Sequence, residues 1–189
     1  MDHTNEPRFL IVSYSYSGHT HRVAEAIQHL TGGDWCEIYP WQPYPAAFPE
    51  LLEQVRKEIQ GRSYPRLLPA ARTPRPYPVI LVGTPNWCGT LAPPLASWLY
   101  HNDLSGKRIL PFYAHCGGVP CDLRRDIQAL RPRTEGLDVP CDLRRDIQAL
   151  CPRAEVGEPL GVLDRETDEA AEQIQPWLLR AGLTVPLRK

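Results

Sequence analysis

Phe9-Leu-Ile-Val-Ser-Tyr-Ser-Tyr-Ser-Gly-His-Thr20 begins as a compact apolar run and ends in small hydroxyl residues around a glycine. A short run that is apolar at every position reads as a strand buried on both faces, as in parallel sheets. Val23, Ala24, Ile27 and Leu30 then recur at helical spacing, and Gly32-Gly33 stops the helix. The alternation continues along the chain. Asp34 to Tyr39 reads as a second strand, Leu51, Leu52, Val55 and Ile59 mark a second helix, and Val79-Ile-Leu-Val82 is a third strand. Pro93-Pro94 can open a helix at its first turn, with Leu95, Trp98 and Leu99 as the buried side. Arg108 to Ala114 is a fourth strand, and a weaker fifth lies within Ala154 to Leu163. A last helix is expected from near Thr167, with Asp168 and Glu169 at its positive end and Pro176 as a kink or break. Five alternations of strand and helix call for an α/β fold, a doubly wound parallel sheet with helices on both faces.

The rest of the composition narrows the class. A chain of 189 residues suits a single domain, 1–189, with enough core to need no disulfide or metal staple. A formal net charge of -1 and the absence of basic patches with interleaved aromatics argue against a nucleic-acid partner. No apolar run approaches the ~20 residues of a membrane-spanning helix. The polar start, Met1 to Pro7, has no signal-like apolar region, so a cytoplasmic location is expected. The 6 cysteines fall at irregular spacing with no C-x-x-C, which favours free thiols and no metal site. Many of the 21 prolines cluster at 40–49 and 65–78, and these stretches read as extended connections around one helix.

One feature is foreign to this pattern. Val119 to Leu130 (VPCDLRRDIQAL) recurs unchanged as Val139 to Leu150. Two copies do not make a solenoid, which needs at least three repeats. Each copy can form the same short amphipathic helix, through Leu123, Ile127 and Leu130 or through Leu143, Ile147 and Leu150. The architecture has one place for a helix between strands four and five, so one copy is an insertion, and both are candidates for that place.

Three strand ends carry residues that a core does not require. The first gives Ser15-Tyr-Ser-Gly-His-Thr20 directly before a helix: hydroxyl donors at Ser15, Ser17 and Thr20, a tight turn at Gly18, and unpaired N–H groups at the helix start. Such a turn can hold an anion or merely cap the helix; as an anion site with no Lys or Arg in the loop, it suits a terminal phosphomonoester held by neutral dipoles. The triphosphate pattern G-x-x-x-x-G-K-[ST] and the dinucleotide pattern G-x-G-x-x-G are missing. The third strand ends in Gly83-Thr-Pro-Asn-Trp-Cys-Gly-Thr90, a stiff loop in which Trp87 offers a face for a flat heteroaromatic ring and Asn86 serves its polar edge. Trp87 also reads as a core anchor, since tryptophan is usually well buried. The fourth strand ends in His115-Cys-Gly-Gly118, where glycines permit close approach of a ligand. No partner for His115 or Cys116 is apparent, so no catalytic nucleophile is assigned.

The pieces SYSYSGHT, GTPNWCGTLAPPL and DLSGKRILPFYAHCGG resemble the flavodoxin family, in particular its members related to NAD(P)H-quinone reductases. The resemblance implies a flavodoxin-like five-stranded parallel sheet in the order 2-1-3-4-5 and FMN as cofactor. It implies a phosphate loop of Ser15, Tyr16, Ser17, Gly18, His19 and Thr20, with His19 where asparagine is usual. It implies a first ring loop of Thr84, Pro85, Asn86, Trp87, Cys88, Gly89 and Thr90, with Cys88 where an aromatic residue is common. The second ring loop is then His115, Cys116, Gly117 and Gly118, directly before the duplicated segment. The function so implied is electron transfer to a redox partner protein or a small acceptor. The alternatives are an FMN-dependent quinone-type reductase and a domain whose flavin binding the duplication has impaired. Lacking a cation beside the phosphate, such a site should disfavour further negative charge on the cofactor.

Overall fold

The structure, a computed structural model, describes residues 9–115 and 142–183. The elements follow in the order β1 (Phe9–Ser13), α1 (His19–Thr31), β2 (Asp34–Glu37), α2 (Phe48–Gly61), β3 (Val79–Trp87), β4 (Thr90–Leu91), α3 (Pro93–His101) and β5 (Arg108–His115). After the undescribed segment come α4 (Leu143–Leu150), β6 (Glu155–Val156), β7 (Leu160–Leu163), a 3-10 turn (Asp164–Glu169) and α5 (Ala171–Arg180).

The sheet is parallel along its main path, β2-β1-β3-β5, and both β6 and β7 pair with β5. The expected order 2-1-3-4-5 follows this path, with β5 as the fourth strand and β6 and β7 together as the fifth, but the sheet has seven strands among the described residues rather than five, because the fifth is split and β4 pairs with β3. The fifth strand is broken where Gly157-Glu158-Pro159 intervenes. Pro159 has no N–H for the ladder. The Gly157 N–H still reaches the Ile109 carbonyl at 2.9 Å, and a Cβ at Gly157 would lie 2.6 Å from Leu110 Cδ2.

All five residues of β1 are buried, as a strand covered on both faces requires. Leu10, Val12, Ile80, Val82 and Ile109 pack on the side of α2, α3 and α4. Phe9, Ile11, Leu81, Leu110 and Phe112 pack on the side of α1 and α5. Helix α3 starts at Pro93-Pro94 as expected, and buries Leu95, Trp98 and Leu99. Among the described residues no helix is long and apolar enough to cross a membrane.

Three expectations need correction. The last helix begins at Ala171, after the 3-10 turn that holds Thr167, Asp168 and Glu169. Pro176 does not end it: α5 runs on to Arg180, and the buried Ile174, Trp177 and Leu178 hold it against the sheet. The third strand extends through Trp87, and Asn86 and Trp87 pair antiparallel with Leu91 and Thr90 of β4. The expected loop is thus a tight hairpin turned by Cys88 and Gly89, with φ of 53° and 78°. Positive φ at both central residues is the two-residue turn that matches strand twist.

The proline-rich stretches lie side by side as extended chain. Pro40 bridges Leu67, the Trp41 N–H donates to the Arg66 carbonyl at 2.7 Å, and the Leu68 N–H donates to that of Tyr39 at 2.9 Å. Of the two identical segments, residues 142–150 of the second form the helix after β5, with Leu143 and Ile147 both 0% exposed. The first copy, 119–130, lies outside the described residues.

Candidate functional site

Because β1, β3 and β5 run parallel and in register, their C-terminal ends share one rim. Ser13 is opposite Gly83, and Thr84 and Pro85 are opposite Tyr113 and Ala114. The chain leaves β1 for β2 on one side and returns to β3 on the other, so the rim holds a topological switch point. Open α/β sheets bind their ligands there.

The first loop ends at Gly18, the N-cap of α1, whose φ of 92° lies in the left-handed region. The Gly18 N–H donates to Ser15 Oγ at 3.1 Å. No side chain caps α1 and its first turn contains no acidic residue, so the first N–H groups of the helix keep no side-chain acceptor; the Glu37 carboxylate from the end of β2 lies 3.2 Å from His21 Nδ1 in that turn. Ser17 is exposed, Ser15, Tyr16 and His19 are half-buried, and Thr20 is buried. The Tyr16 hydroxyl donates to the Pro45 carbonyl at 2.9 Å, which ties the loop to the connection after β2. His19 Nδ1 is buried with no hydrogen-bond partner.

The second loop is rigid. Thr84 is fully buried; its hydroxyl donates to the Pro85 carbonyl and accepts from the Ala92 N–H, both at 2.9 Å. The hairpin is thereby pinned to the start of α3. Trp87 does not present the exposed face expected of it. It is 7% exposed, and Tyr14, Tyr16 and Tyr44 meet it edge-on at centroid distances of 5.6, 5.8 and 5.2 Å. Edge-to-face packing of this kind makes Trp87 an anchor beneath the rim. Asn86 is 4% exposed and its Oδ1 has no partner. What the hairpin offers outward is the half-buried turn Cys88, Gly89 and Thr90. Burial raises the Cys88 thiol pKa, against the opposing pull of the Arg56 cation, so the thiol stays protonated at neutral pH.

At the end of β5, His115 is half-buried, with the Tyr113 ring 5.2 Å away. Burial lowers its pKa, and the Asp164 and Glu166 carboxylates oppose that shift. Cys116, Gly117 and Gly118 lie outside the described residues. The site also uses residues that no sequence signal marked. Asp146 of α4 accepts from the Thr90 hydroxyl at 2.6 Å, and Ser13 Oγ accepts from Trp35 Nε1 at 2.9 Å. Both bonds join residues far apart in sequence, which only the folded topology brings together.

Comparison with known proteins agrees with this fold. The flavodoxin family profile matches residues 8–137. No curated protein matches the sequence. Among solved structures, a protein assigned as a flavoprotein from Bacteroides eggerthii is 20% identical, with a TM-score of 0.68 over 94% of this chain and 99% of that one. Another so assigned, from Bacteroides uniformis, is 18% identical with a TM-score of 0.67 over 90% and 99%. A flavoprotein from Lactobacillus acidophilus in complex with FMN is 18% identical with a TM-score of 0.59 over 86% and 97%. At such identities the structures establish the fold, and the profile, which spans more than half of the sequence, establishes descent. The chain belongs to the flavodoxin family.

Proposed function

We propose that this protein binds FMN and transfers electrons, holding the phosphate at the start of α1 and contacting the ring through the turn Cys88-Gly89-Thr90 and the His115 strand end. The observation that carries the reading is the uncapped N-terminus of α1 at the β1/β3 switch point.

The residues fit the ligand. Ser15 and Ser17 supply hydroxyls beside helix N–H groups, which suits a single phosphomonoester. The nearest arginine in sequence, Arg22, has its Nε 3.6 Å from the Asp168 carboxylate, in an exposed pair. Two buried side-chain atoms without hydrogen-bond partners, His19 Nδ1 and Asn86 Oδ1, belong one to each loop. A ligand with a phosphate at one end and a polar heterocycle at the other would complete both. The FMN held by the Lactobacillus acidophilus flavoprotein, on the same fold, supports this choice.

Bound FMN supplies the redox-active ring, while the protein positions it and sets its electrostatic surroundings. A redox partner protein or a small electron acceptor would take the electrons. Absorbance of the purified protein after addition of FMN tests the cofactor, and a flavin spectrum that survives gel filtration is expected. Reduction only through a partner reductase supports the carrier. Steady NAD(P)H-quinone turnover by the protein alone assigns it instead to the reductases, and failure to retain FMN removes the redox role.

A further inference from the structure

The helix position between β5 and β6 is filled by the second copy of the duplicated segment. Leu143 and Ile147 of α4 are fully buried against the sheet and α3. Asp142 caps the helix by accepting from the Arg145 N–H at 3.2 Å. Asp146 accepts from Thr90, and Gln148 Nε2 donates to the carbonyls of Cys151 and Ala154 at 3.2 and 3.1 Å. Each of these side chains has an identical counterpart twenty positions earlier, at Asp122, Leu123, Asp126, Ile127 and Gln128.

The flanks differ. Pro152, Arg153 and Glu155 recur as Pro132, Arg133 and Glu135, but Cys151 corresponds to Arg131, Ala154 to Thr134 and Val156 to Gly136. Cys151 is 6% exposed and Val156 3%. An arginine at the first position would bury a guanidinium, and a glycine at the second would forfeit a packed side chain. The flavodoxin profile, in contrast, runs through the first copy and ends at residue 137, before the second begins.

We propose that the α4 position accepts either copy, that the helices themselves do not discriminate, and that Cys151 and Val156 bias the choice to the second. The two arrangements keep the same sheet. They differ in where the surplus residues lie: between β5 and the helix when the second copy is seated, between the helix and β7 when the first is. Because the His115 end of β5 belongs to the rim, the choice of copy alters the connection that borders it. Packed elements of this kind are bistable rather than continuously deformable.

Cys151 reports the choice, since it is shielded only when the second copy is seated. The test is maleimide labelling of Cys151, read by mass spectrometry, together with thermal unfolding of Ile127→Asp, Ile147→Asp and the double variant. With either copy competent, Ile147→Asp still unfolds cooperatively at a midpoint lowered by a few degrees, roughly 2–4 °C, while Cys151 labels about tenfold faster. Ile127→Asp leaves both readouts unchanged, and the double variant loses the transition. If Ile147→Asp is as damaged as the double variant, the position belongs to the second copy alone and the proposal fails. A second variant removes the bias without disabling a helix: Arg131→Cys with Gly136→Val should speed Cys151 labelling at an unchanged midpoint. No change in its rate would also overturn the proposal.

Discussion

Three backbone positions at the rim make sharp predictions. Gly18 has open space where a Cβ would be but a φ of 92°, so Gly18→Ala should cost about 1–2 kcal/mol through backbone strain alone, read as a lowered unfolding midpoint. Gly83 is the reverse case. Its backbone is unstrained, but a Cβ would sit 2.2 Å from Cζ of the fully buried Phe112. Gly83→Ala should therefore cost about 1–3 kcal/mol by overpacking. Cys88 holds a left-handed φ of 53° that asparagine tolerates better, so Cys88→Asn should raise stability by about 1 kcal/mol, measured by denaturant midpoint. The glycine-serine turn before α1 was legible because hydroxyls and a glycine at a strand end have few other uses. The environment of Trp87 was not. Its burial depends on Tyr14, Tyr16 and Tyr44, and sequence distance carries no sign that Tyr44 would close over it.

Among the elements, β1, α1 and α3 could be read from the chain because periodicity and punctuation agree there. The extent of β3 could not, since Gly83-Thr-Pro-Asn looks like loop until β4 folds back on it. Pro176 misled for a related reason: tertiary burial of Ile174, Trp177 and Leu178 overrides a local helix-breaking signal. The connection after α4 adds a dependence on pH. Burial pushes the Cys151 thiol up to about 11. Below the ordinary thiol value, about 8.5, folded and unfolded chains both hold the proton. Between there and about pH 11 only the folded chain does, so its stability falls as pH rises through that window. Cys151→Ala should flatten this part of the decline, as measured by urea midpoints from pH 8 to pH 10.5. The buried Tyr14 and Tyr44 hydroxyls, whose pKa values burial also raises, should leave a residual slope.

For the molecule as a whole, parallel strands in the order β2-β1-β3-β5 bring one uncapped helix end and one rigid hairpin to the same edge. In the proposed function this edge recognises a flavin by its phosphate. Fluorescence titration of flavin-free protein with FMN and, separately, with riboflavin tests it most directly. Saturable quenching of one FMN per chain, with binding of riboflavin weaker by at least about tenfold, one decade being 1.4 kcal/mol, is the predicted result. Equal affinity for the two flavins, or no quenching by either, would contradict it.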